Sequence, residues 1–501
     1  MEQQARSIRD TLLKLPDNEI AERRRIFTDY YFYKGKSIDL KKAKQNPALY
    51  GQNWPIDDNV DYEPTQDIRN KVKPLLKKQA RWMFGKKPTL VFKADDLKDK
   101  ENCEELRKFI EDVFEDNNFW NNTRKAFLEA TIKKRALLRV EANPGQPVVI
   151  KYESIENFFY KEKNGKLLKA IFFEEDEMNV YREEDKDKIY YLHTYYYKVD
   201  ENTKALQAWY RKETYKNTDL IEKIEYDTGF STIPCWLIRN GGELNNTFGE
   251  SDITDLRDAQ NQYNRRNSDF ADALRFQMFG SEAIIDGNED DVNRLTIAPN
   301  AVHAIKTRDE LAENGKQAII QRQEYNIGSS EAMNTYLDRA DSDMKETLDM
   351  PKISDLNNIP SAKAMIYLYN DLIARMEEKF NDWERPLLSL INFIIEVGSV
   401  CYPGSFNKAW LNLKYTKLIK QNYPIPNDLD EKKKLAMDEV DSNVRSRKSY
   451  IKEYSDEEDE EKAFDEILEE TTLLNQAQDT LIGGTNSDID NIDNELKTDE
   501  E

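Results

Sequence analysis

Residues 251–280 read SDITDLRDAQNQYNRRNSDFADALRFQMFG. The apolar side chains in this stretch recur at helical spacing, and Ser251 is a residue type that commonly caps a helix N-terminus. These features predict one amphipathic helix of roughly seven turns, about 40 Å long at 1.5 Å per residue, which ends at Gly280. Its apolar positions are Ile253, Leu256, Ala259, Tyr263, Phe270 and Leu274.

A second helical pattern follows an insert in which apolar and polar residues alternate. The insert, residues 280–325, contains the turn pair Asp286-Gly287 and is predicted to form a small β-rich module. Helical spacing resumes at about Ser330 and stops just before Pro351, because proline disfavours a helical backbone in the preceding residue. The chain is therefore predicted to run out along one helix and back along another.

A long third helix is predicted after residues 351–360, a loop with a proline at each end. Apolar residues keep helical spacing over 361–397, which is roughly 36 residues and about 54 Å if the helix is continuous. Pro386 is the one position at which we expect this helix to kink.

Upstream of these helices, residues 136–238 have the composition of β-strands separated by turn residues. The tyrosine-rich run from Tyr190 to Tyr197 is predicted to form antiparallel strands; stacking on nucleic-acid bases is the alternative function for its rings. Hairpin turns are expected near Asn143-Pro144-Gly145 and Asn164-Gly165, and a short buried strand at Ile233–Ile238.

Several short motifs occur in a fixed order along residues 60–400. They are Asn70-Lys71-Val72, the helix end Trp82-Met83-Phe84-Gly85-Lys86-Lys87-Pro88, the Ile233-Pro234 strand, the Asn240-Gly241 turn, the helix start Ser251-Asp252-Ile253, Asp269-Phe270-Ala271-Asp272-Ala273, Gly280, Leu337-Asp338-Arg339, Pro351 with Ile353-Ser354-Asp355, and Ser361-Ala362-Lys363-Ala364. This ordered series resembles the portal proteins of long-tailed, siphovirus-type double-stranded DNA bacteriophages of Gram-positive hosts. The order is more specific than any one motif.

The resemblance implies an α+β, portal-type subunit that assembles into a ring. The implied parts are a wing (1–250 and 398–425), stem helix 1 (251–279), a small α/β clip (280–325), stem helix 2 (326–350), a tunnel loop (351–360), a long tunnel and wing helix (361–397), a helical crown (426–478) and an acidic disordered tail (479–501).

The function implied is that of a ring at one capsid vertex, twelve subunits in the family's virions, through which double-stranded DNA is packaged and later ejected. The implied partners are further copies of the chain, the DNA, the terminase large subunit, a head-completion or adaptor protein, and the major capsid and scaffolding proteins. The implied location is the virion, with assembly in the host cytoplasm. A cytoplasmic helical scaffold that binds protein partners is the alternative.

The charge of the chain bears on how it would handle DNA. The net charge is −22, and residues 455–501 hold 18 Asp or Glu against two Lys, so the remainder is only mildly acidic. A protein that grips DNA needs a basic face, whereas a conduit benefits from an acidic wall with a few cations or amides on a loop. The residues predicted to face the channel are Lys345, Lys352, Asn357, Asn358 and Lys363.

Two further groups of residues have competing interpretations. The basic run Lys71–Lys87 suggests a DNA patch, but its interleaved apolar residues favour an amphipathic helix ending at Gly85. In the clip, the residues expected to dock partners are Asn288, Glu289, Asp290, Arg294, Asn300 and His303.

Enzymatic, metal and membrane functions are not supported by the sequence. There is no phosphate loop, dinucleotide motif or nucleophile elbow, and the trio Asp338, Asp341 and Asp343 is expected to be a solvated helix face. We expect no cofactor, no catalytic residue and no metal site. The three cysteines are expected to be reduced and packed, and the sequence predicts neither a signal peptide nor a membrane span.

Overall fold

A computed structural model describes residues 7–37, 40–56, 62–199, 206–242, 244, 246–279, 281–288, 290, 305–323, 330–352, 365, 367–424, 429–454, 462 and 464–473. The chain divides into two units. The first comprises Met1–Asn358 and Tyr367–Pro424, and the second Ile359–Ile366 and Ile425–Glu501.

The first unit contains both helices and strands, which confirms the mixed α and β class. The helices are α1 Ile8–Leu12, α2 Asp17–Lys34, α3 Leu40–Gln45, α4 Val72–Phe84, α5 Lys100–Asp116, α6 Phe119–Lys133, α7 Ile253–Phe279, α8 Asp309–Ala312, α9 Ser330–Glu346 and α10 Asn370–Cys401. The strands are β1 Thr89–Ala94, β2 Arg135–Glu141, β3 Val149–Ser154, β4 Phe158–Lys163, β5 Lys166–Glu175, β6 Ile189–Val199, β7 Leu206–Lys216, β8 Asp219–Asp227, β9 Cys235–Arg239, β10 Ser281–Ile285, β11 Ile319–Gln323 and β12 Tyr415–Lys420.

The β-rich region predicted over residues 136–238 forms two antiparallel sheets. One is a five-stranded meander in the order β4-β5-β6-β7-β8, and the other is a three-stranded sheet in the order β3-β2-β9. Asn164 and Gly165 join β4 to β5 with φ of 52° and 72°, which is the left-handed pair required by a two-residue hairpin turn. The tyrosine-rich run lies in β6, so the prediction of antiparallel strands is confirmed.

The helical core forms around Trp383 of α10, which is 1% exposed. Phe84 of α4 and Phe127 of α6 lie with their rings 5.4 Å and 5.7 Å from that indole. Burial of such rings supplies much of the hydrophobic stabilisation of a core. The apolar residues between the charges of the basic run are buried, so the amphipathic-helix interpretation of Lys71–Lys87 is confirmed.

A buried ion pair ties α2 to the three-stranded sheet. Arg135 of β2 is fully buried, and its guanidinium donates to both carboxylate oxygens of Glu19 at 2.8 Å and 2.9 Å. Glu19 also accepts from Nε of Arg23 at 3.0 Å. The ring of Phe248 lies 4.9 Å from the Arg135 guanidinium. This arrangement compensates the charge with several hydrogen bonds, as a buried ion pair requires.

Element boundaries differ from the sequence predictions at three places: the end of α9, the end of α10 and the bounds of a short strand. Stem helix 2, expected to stop just before Pro351, ends at Glu346, because the chain turns and Asp349 has a left-handed φ of 54°. The long helix begins at Asn370, and its predicted start at Ser361 lies outside the described residues. It continues through Pro386 to Cys401, beyond the predicted end. The short strand is Cys235–Arg239, displaced from the predicted Ile233–Ile238.

The cysteines are free and buried, as predicted: Cys103, Cys235 and Cys401. Burial raises the pKa of each thiol. Among the described helices, none combines the length and the apolar character that a bilayer span requires.

Among the described residues of the second unit, helices α11 Leu429–Asp441 and α12 Arg447–Tyr454 pack together. Arg445 lies between them and forms ion pairs with Glu439 at 3.7 Å and with Glu453. Residues 464–473 are also helical, in agreement with the helix predicted in this part of the chain. The predicted acidic tail, residues 479–501, lies outside the described residues.

Candidate functional site

The candidate site is the joint at which α7 and α9 meet the rest of the first unit. These two helices pack against each other. Strands β10 and β11, which follow α7 and precede α9, pair antiparallel with Ser281 opposite Gln323. The chain therefore runs out along α7, through β10 and β11, and back along α9, as the sequence predicted.

A ladder of polar side chains on α7 holds an extended segment, residues 65–71. The backbone N–H of Thr65 donates to Asp272 at 3.0 Å, and that of Asp67 donates to Ser268 at 2.9 Å. In the same way, the backbone N–H of Arg69 donates to the Asn264 side chain at 3.1 Å, and that of Lys71 donates to the Gln260 side chain at 2.9 Å. Two residues of extended chain span about 6.6 Å and four residues of helix about 6.0 Å, so the two spacings match.

The ladder changes which face of α7 is buried. Gln260, Asn264, Ser268 and Asp272 are at most 8% exposed, whereas the apolar Leu274 is 41% exposed. Of the apolar positions named for the predicted amphipathic helix, Ile253 and Leu256 are buried within one subunit and Leu274 is not. Polar side chains occupy the buried face because each one satisfies a backbone group of the segment beside it.

Replacing Asn264 with leucine should lower the free energy of unfolding by about 2–4 kcal/mol, because it leaves several buried groups without a partner. Asn264 accepts from the Arg69 N–H at 3.1 Å and from the Gln260 amide at 2.9 Å, and it donates to Gln52 at 3.0 Å. Denaturant unfolding measures the loss. Gln262→Leu on the exposed face of the same helix is the control, and an equal loss in both variants would contradict the ladder's role.

Asp252, directly before α7, is the most connected carboxylate of the joint. It is 6% exposed and accepts hydrogen bonds from Gln79 at 2.8 Å, Asn240 at 2.9 Å and Lys379 at 2.9 Å. Burial alone would raise the pKa of Asp252, but the charges of Lys379 and Arg375 together with the donated hydrogen bonds hold it below its usual value. The carboxylate is therefore charged at neutral pH.

Arg375 of α10 connects the start of α7 to the end of α9. Its guanidinium lies 3.6 Å from the Asp252 carboxylate and 3.3 Å from that of Asp349. It also donates to the Thr347 carbonyl at 3.4 Å. Arg375 therefore contacts both segments at the base of the helical hairpin: the residue before α7 and the turn after α9.

The residues predicted to face a channel lie partly beside this joint. Lys345 of α9 lies 2.6 Å from Asp341, which also pairs with Lys71 at 3.1 Å. Burial opposes ionisation of Asp341, but these two lysines lower its pKa. Lys352 pairs with Glu346. Asn357, Asn358 and Lys363 lie outside the described residues, and the assignment of all five to the channel stays a prediction.

The acidic trio on α9 does not form a common centre. Asp341 takes part in the lysine pairs, whereas Asp343 is exposed and lies 4.0 Å from Arg339. Within the described ranges, no cluster of three or more His, Cys, Asp or Glu has the arrangement of a metal site.

Residues 12–476 match one family description, "Phage portal protein, SPP1 Gp6-like". The chain belongs to this family of phage portal proteins. Its members are structural proteins, and membership decides in favour of a portal ring protein of the virion and against the scaffold alternative. The α+β portal-type fold predicted from the sequence is likewise confirmed.

Two solved structures are similar to this portal protein. One is the virion of a native gene transfer agent particle, with 10% sequence identity, coverage of 78% of this chain and 94% of that chain, and a TM-score of 0.42. The other is the neck of a native gene transfer agent particle computed with C12 symmetry, with 10% identity, the same coverages and a TM-score of 0.40. No curated protein sequence matches the chain.

Two of the residues predicted to dock partners at the clip of this portal protein are described. The Asn288 side chain accepts from the backbone of Asp290 at 3.0 Å, and the Asn288 N–H donates to the Lys306 carbonyl at 3.0 Å. Glu289, Arg294, Asn300 and His303 lie outside the described residues. The docking role of all six stays a prediction.

Sequence reasoning missed the joint residues of the portal subunit, although some left a signal. Arg375 and Lys379 are two cations four residues apart on α10, and their side chains are only 19% and 12% exposed, a position at which a charge needs a partner. The sequence predicts Asp252 only as part of the helix start Ser251-Asp252-Ile253, because its partners Gln79 and Lys379 lie far away along the chain.

Proposed function

We propose that twelve copies of this portal protein close into a ring at one vertex of the capsid of a long-tailed phage that infects a Gram-positive host. Double-stranded DNA would pass through the ring during packaging and again during ejection. The observation that carries the proposal is the helical hairpin of α7 and α9, fixed at its base through Arg375, in a chain of the portal family.

Exposed apolar residues on the hairpin support packing against further copies. Leu274 of α7 is 41% exposed and Tyr336 of α9 is 43% exposed. Covering these apolar side chains with a neighbouring subunit removes them from water and so stabilises the assembly. A ring would supply that neighbour for every subunit.

The regions of the subunit would then have separate tasks. The clip, residues 280–325, would dock the terminase large subunit during packaging and a head-completion or adaptor protein afterwards. The wing would contact the major capsid and scaffolding proteins during assembly in the host cytoplasm, and residues 426–478 would form the crown. We propose no catalytic activity for the chain, because the energy for DNA movement would come from the terminase.

The channel wall would favour sliding over gripping. Residues 1–454 carry a net charge of −6 once the −16 of residues 455–501 is set aside, and an acidic wall would form few long-lived contacts with phosphates. Cations and amides beside residues 351–360 would provide the remaining contacts with DNA. Their local carboxylate partners, such as Glu346 beside Lys352, would limit the strength of that grip.

The proposal predicts that a phage lacking this gene makes heads without DNA. Supplying the gene in trans should restore filled heads, and quantitative PCR of nuclease-treated particles measures the packaged DNA. Filled heads in the absence of the gene would refute the proposed function.

Replacing Lys352 with alanine should reduce the DNA packaged per head, because it removes one of the few cations assigned to the channel. The side chain is 40% exposed, so we expect the subunit to fold normally. Lys98→Ala in the exposed part of the wing is the control and should leave packaging unchanged. An unchanged yield in Lys352→Ala would remove that residue from the channel assignment.

A further inference from the structure

Strand β8, residues 219–227, is an open edge of the five-stranded sheet. It pairs with β7 on one side, and no strand pairs with its other side in the part of the chain that is described. Four of its large apolar side chains are exposed: Leu220 at 52%, Ile221 at 58%, Ile224 at 44% and Tyr226 at 49%. An open edge of this kind presents backbone groups that an added strand can pair with.

A cavity of about 630 Å³ lies next to this edge. One wall is a row of three rings on neighbouring strands, Tyr195, Tyr210 and Tyr226, with centroids 5.1 Å and 5.2 Å apart. The opposite wall includes Val397 and Val400 of α10. Because Tyr226 both lines the cavity and is half exposed, the cavity reaches the surface beside β8.

The cations of the cavity already have partners. Arg139 lies 2.8 Å from Glu153 and 3.0 Å from Glu141, and Lys151 lies 3.0 Å from Glu141. His193 lies 3.2 Å from Glu174. Burial lowers the pKa of His193, so the imidazole adds no positive charge at neutral pH.

Two carboxylates at the cavity are bound only to backbone groups. Asp227 accepts from the Gly229 N–H at 2.9 Å, and Glu396 accepts from the Ser231 N–H at 2.9 Å. Neither has an ion-pair partner among the described residues. Strand β8 itself contains Asp219, Glu222, Glu225 and Asp227 but only Lys223. Glu225 is paired with Lys198, Arg211 and Lys223. The negative charge of the edge and the cavity therefore comes from Asp219, Glu222, Asp227 and Glu396.

We propose that β8 and this cavity form a docking surface for an extended, positively charged segment of a partner protein. The segment adds a sixth strand to the sheet, and one of its apolar side chains enters the cavity against Tyr226 and Val400. Side chains of an added strand alternate between the two faces of the sheet, so every second one lies on the face of the tyrosine row.

Charge excludes two other occupants. A second copy of β8 carries the same excess of carboxylates, so pairing the two edges would bring like net charges together, which is unfavourable. The C-terminal segment 455–501 of this chain is strongly acidic and is repelled in the same way. A segment with Lys or Arg alternating with apolar residues has the complementary charge and the complementary pattern.

The test uses the full-length protein and a fluorescein-labelled synthetic peptide of alternating lysine and valine with one central phenylalanine. A matched peptide with glutamate in place of lysine is the control. We expect the lysine peptide to bind by fluorescence anisotropy, the glutamate peptide to fail, and the amides of residues 219–227 to gain protection from hydrogen exchange. Equal binding of the two peptides, no binding, or no protection of β8 would overturn the proposal.

Three variants locate the binding. Tyr226→Lys at the cavity mouth and Val400→Lys on the opposite wall should each weaken binding about ten-fold, or about 1.4 kcal/mol. Ile221→Lys introduces the same charge on the same strand at a residue that does not line the cavity, and it should change affinity less than two-fold. Equal effects at Tyr226 and Ile221 would refute a cavity-anchored strand, and circular dichroism checks that each variant is folded.

Discussion

Asp252→Ala is expected to lower the free energy of unfolding by about 3–5 kcal/mol, the range found when one partner of a buried ion pair is removed. The substitution would remove the carboxylate beside the Lys379 ammonium and leave it the Asn240 amide oxygen as a hydrogen-bond acceptor. It would also leave the Gln79 amide without its acceptor. Denaturant unfolding followed by circular dichroism measures the change.

Asp255→Ala is the matched control, because Asp255 is an exposed carboxylate in the first turn of the same helix. We expect its effect to stay below about 1 kcal/mol. Asp252→Asn keeps the size of the side chain and removes its charge, so a clear loss in this variant identifies charge as the main contribution. Similar stabilities for Asp252→Ala and Asp255→Ala would contradict the assigned role of the joint.

Glu19→Ala is expected to have an effect of similar size, about 3–5 kcal/mol, at the buried ion pair between α2 and the three-stranded sheet. Glu19 binds Arg135 through both oxygens and Arg23 through one, and these side chains are at most 6% exposed. Its removal leaves the Arg135 charge in the core with the Tyr160 hydroxyl, at 2.7 Å, as a neutral partner. Thermal unfolding measures the decrease.

Glu129→Ala is the control for this prediction. Glu129 also pairs with a buried cation, Lys133, but it is 37% exposed and Lys133 keeps Glu156 at 2.7 Å. We expect a loss of about 1 kcal/mol or less. If Glu19→Ala were no more destabilising than Glu129→Ala, the buried network would not stabilise the unit as described.

Much of the fold was predictable because its signals are local. Apolar spacing and Ser251 located α7 within two residues of its start, since the Ser251 hydroxyl accepts from the Ile253 N–H at 3.3 Å as a cap does. The Asn164-Gly165 pair located a hairpin turn because few other residues adopt two successive left-handed conformations.

The features that sequence reasoning missed depend on partners far away along the chain. The polar ladder on α7 repeats every four residues from Gln260 to Asp272, but its partners are residues 65–71. A regular row of polar residues on a helix is normally a solvated face, so nothing local indicated burial. The early end of α9 has the same cause, since Arg375 holds the turn at Thr347 and Asp349.

The ring is the central claim, and native mass spectrometry of the purified protein followed by electron microscopy of the same sample tests it most directly. We predict a complex with the mass of twelve chains of 58.9 kDa and images of closed rings with a central hole. A stable monomer or dimer at micromolar concentration, with no rings in the images, would contradict the account.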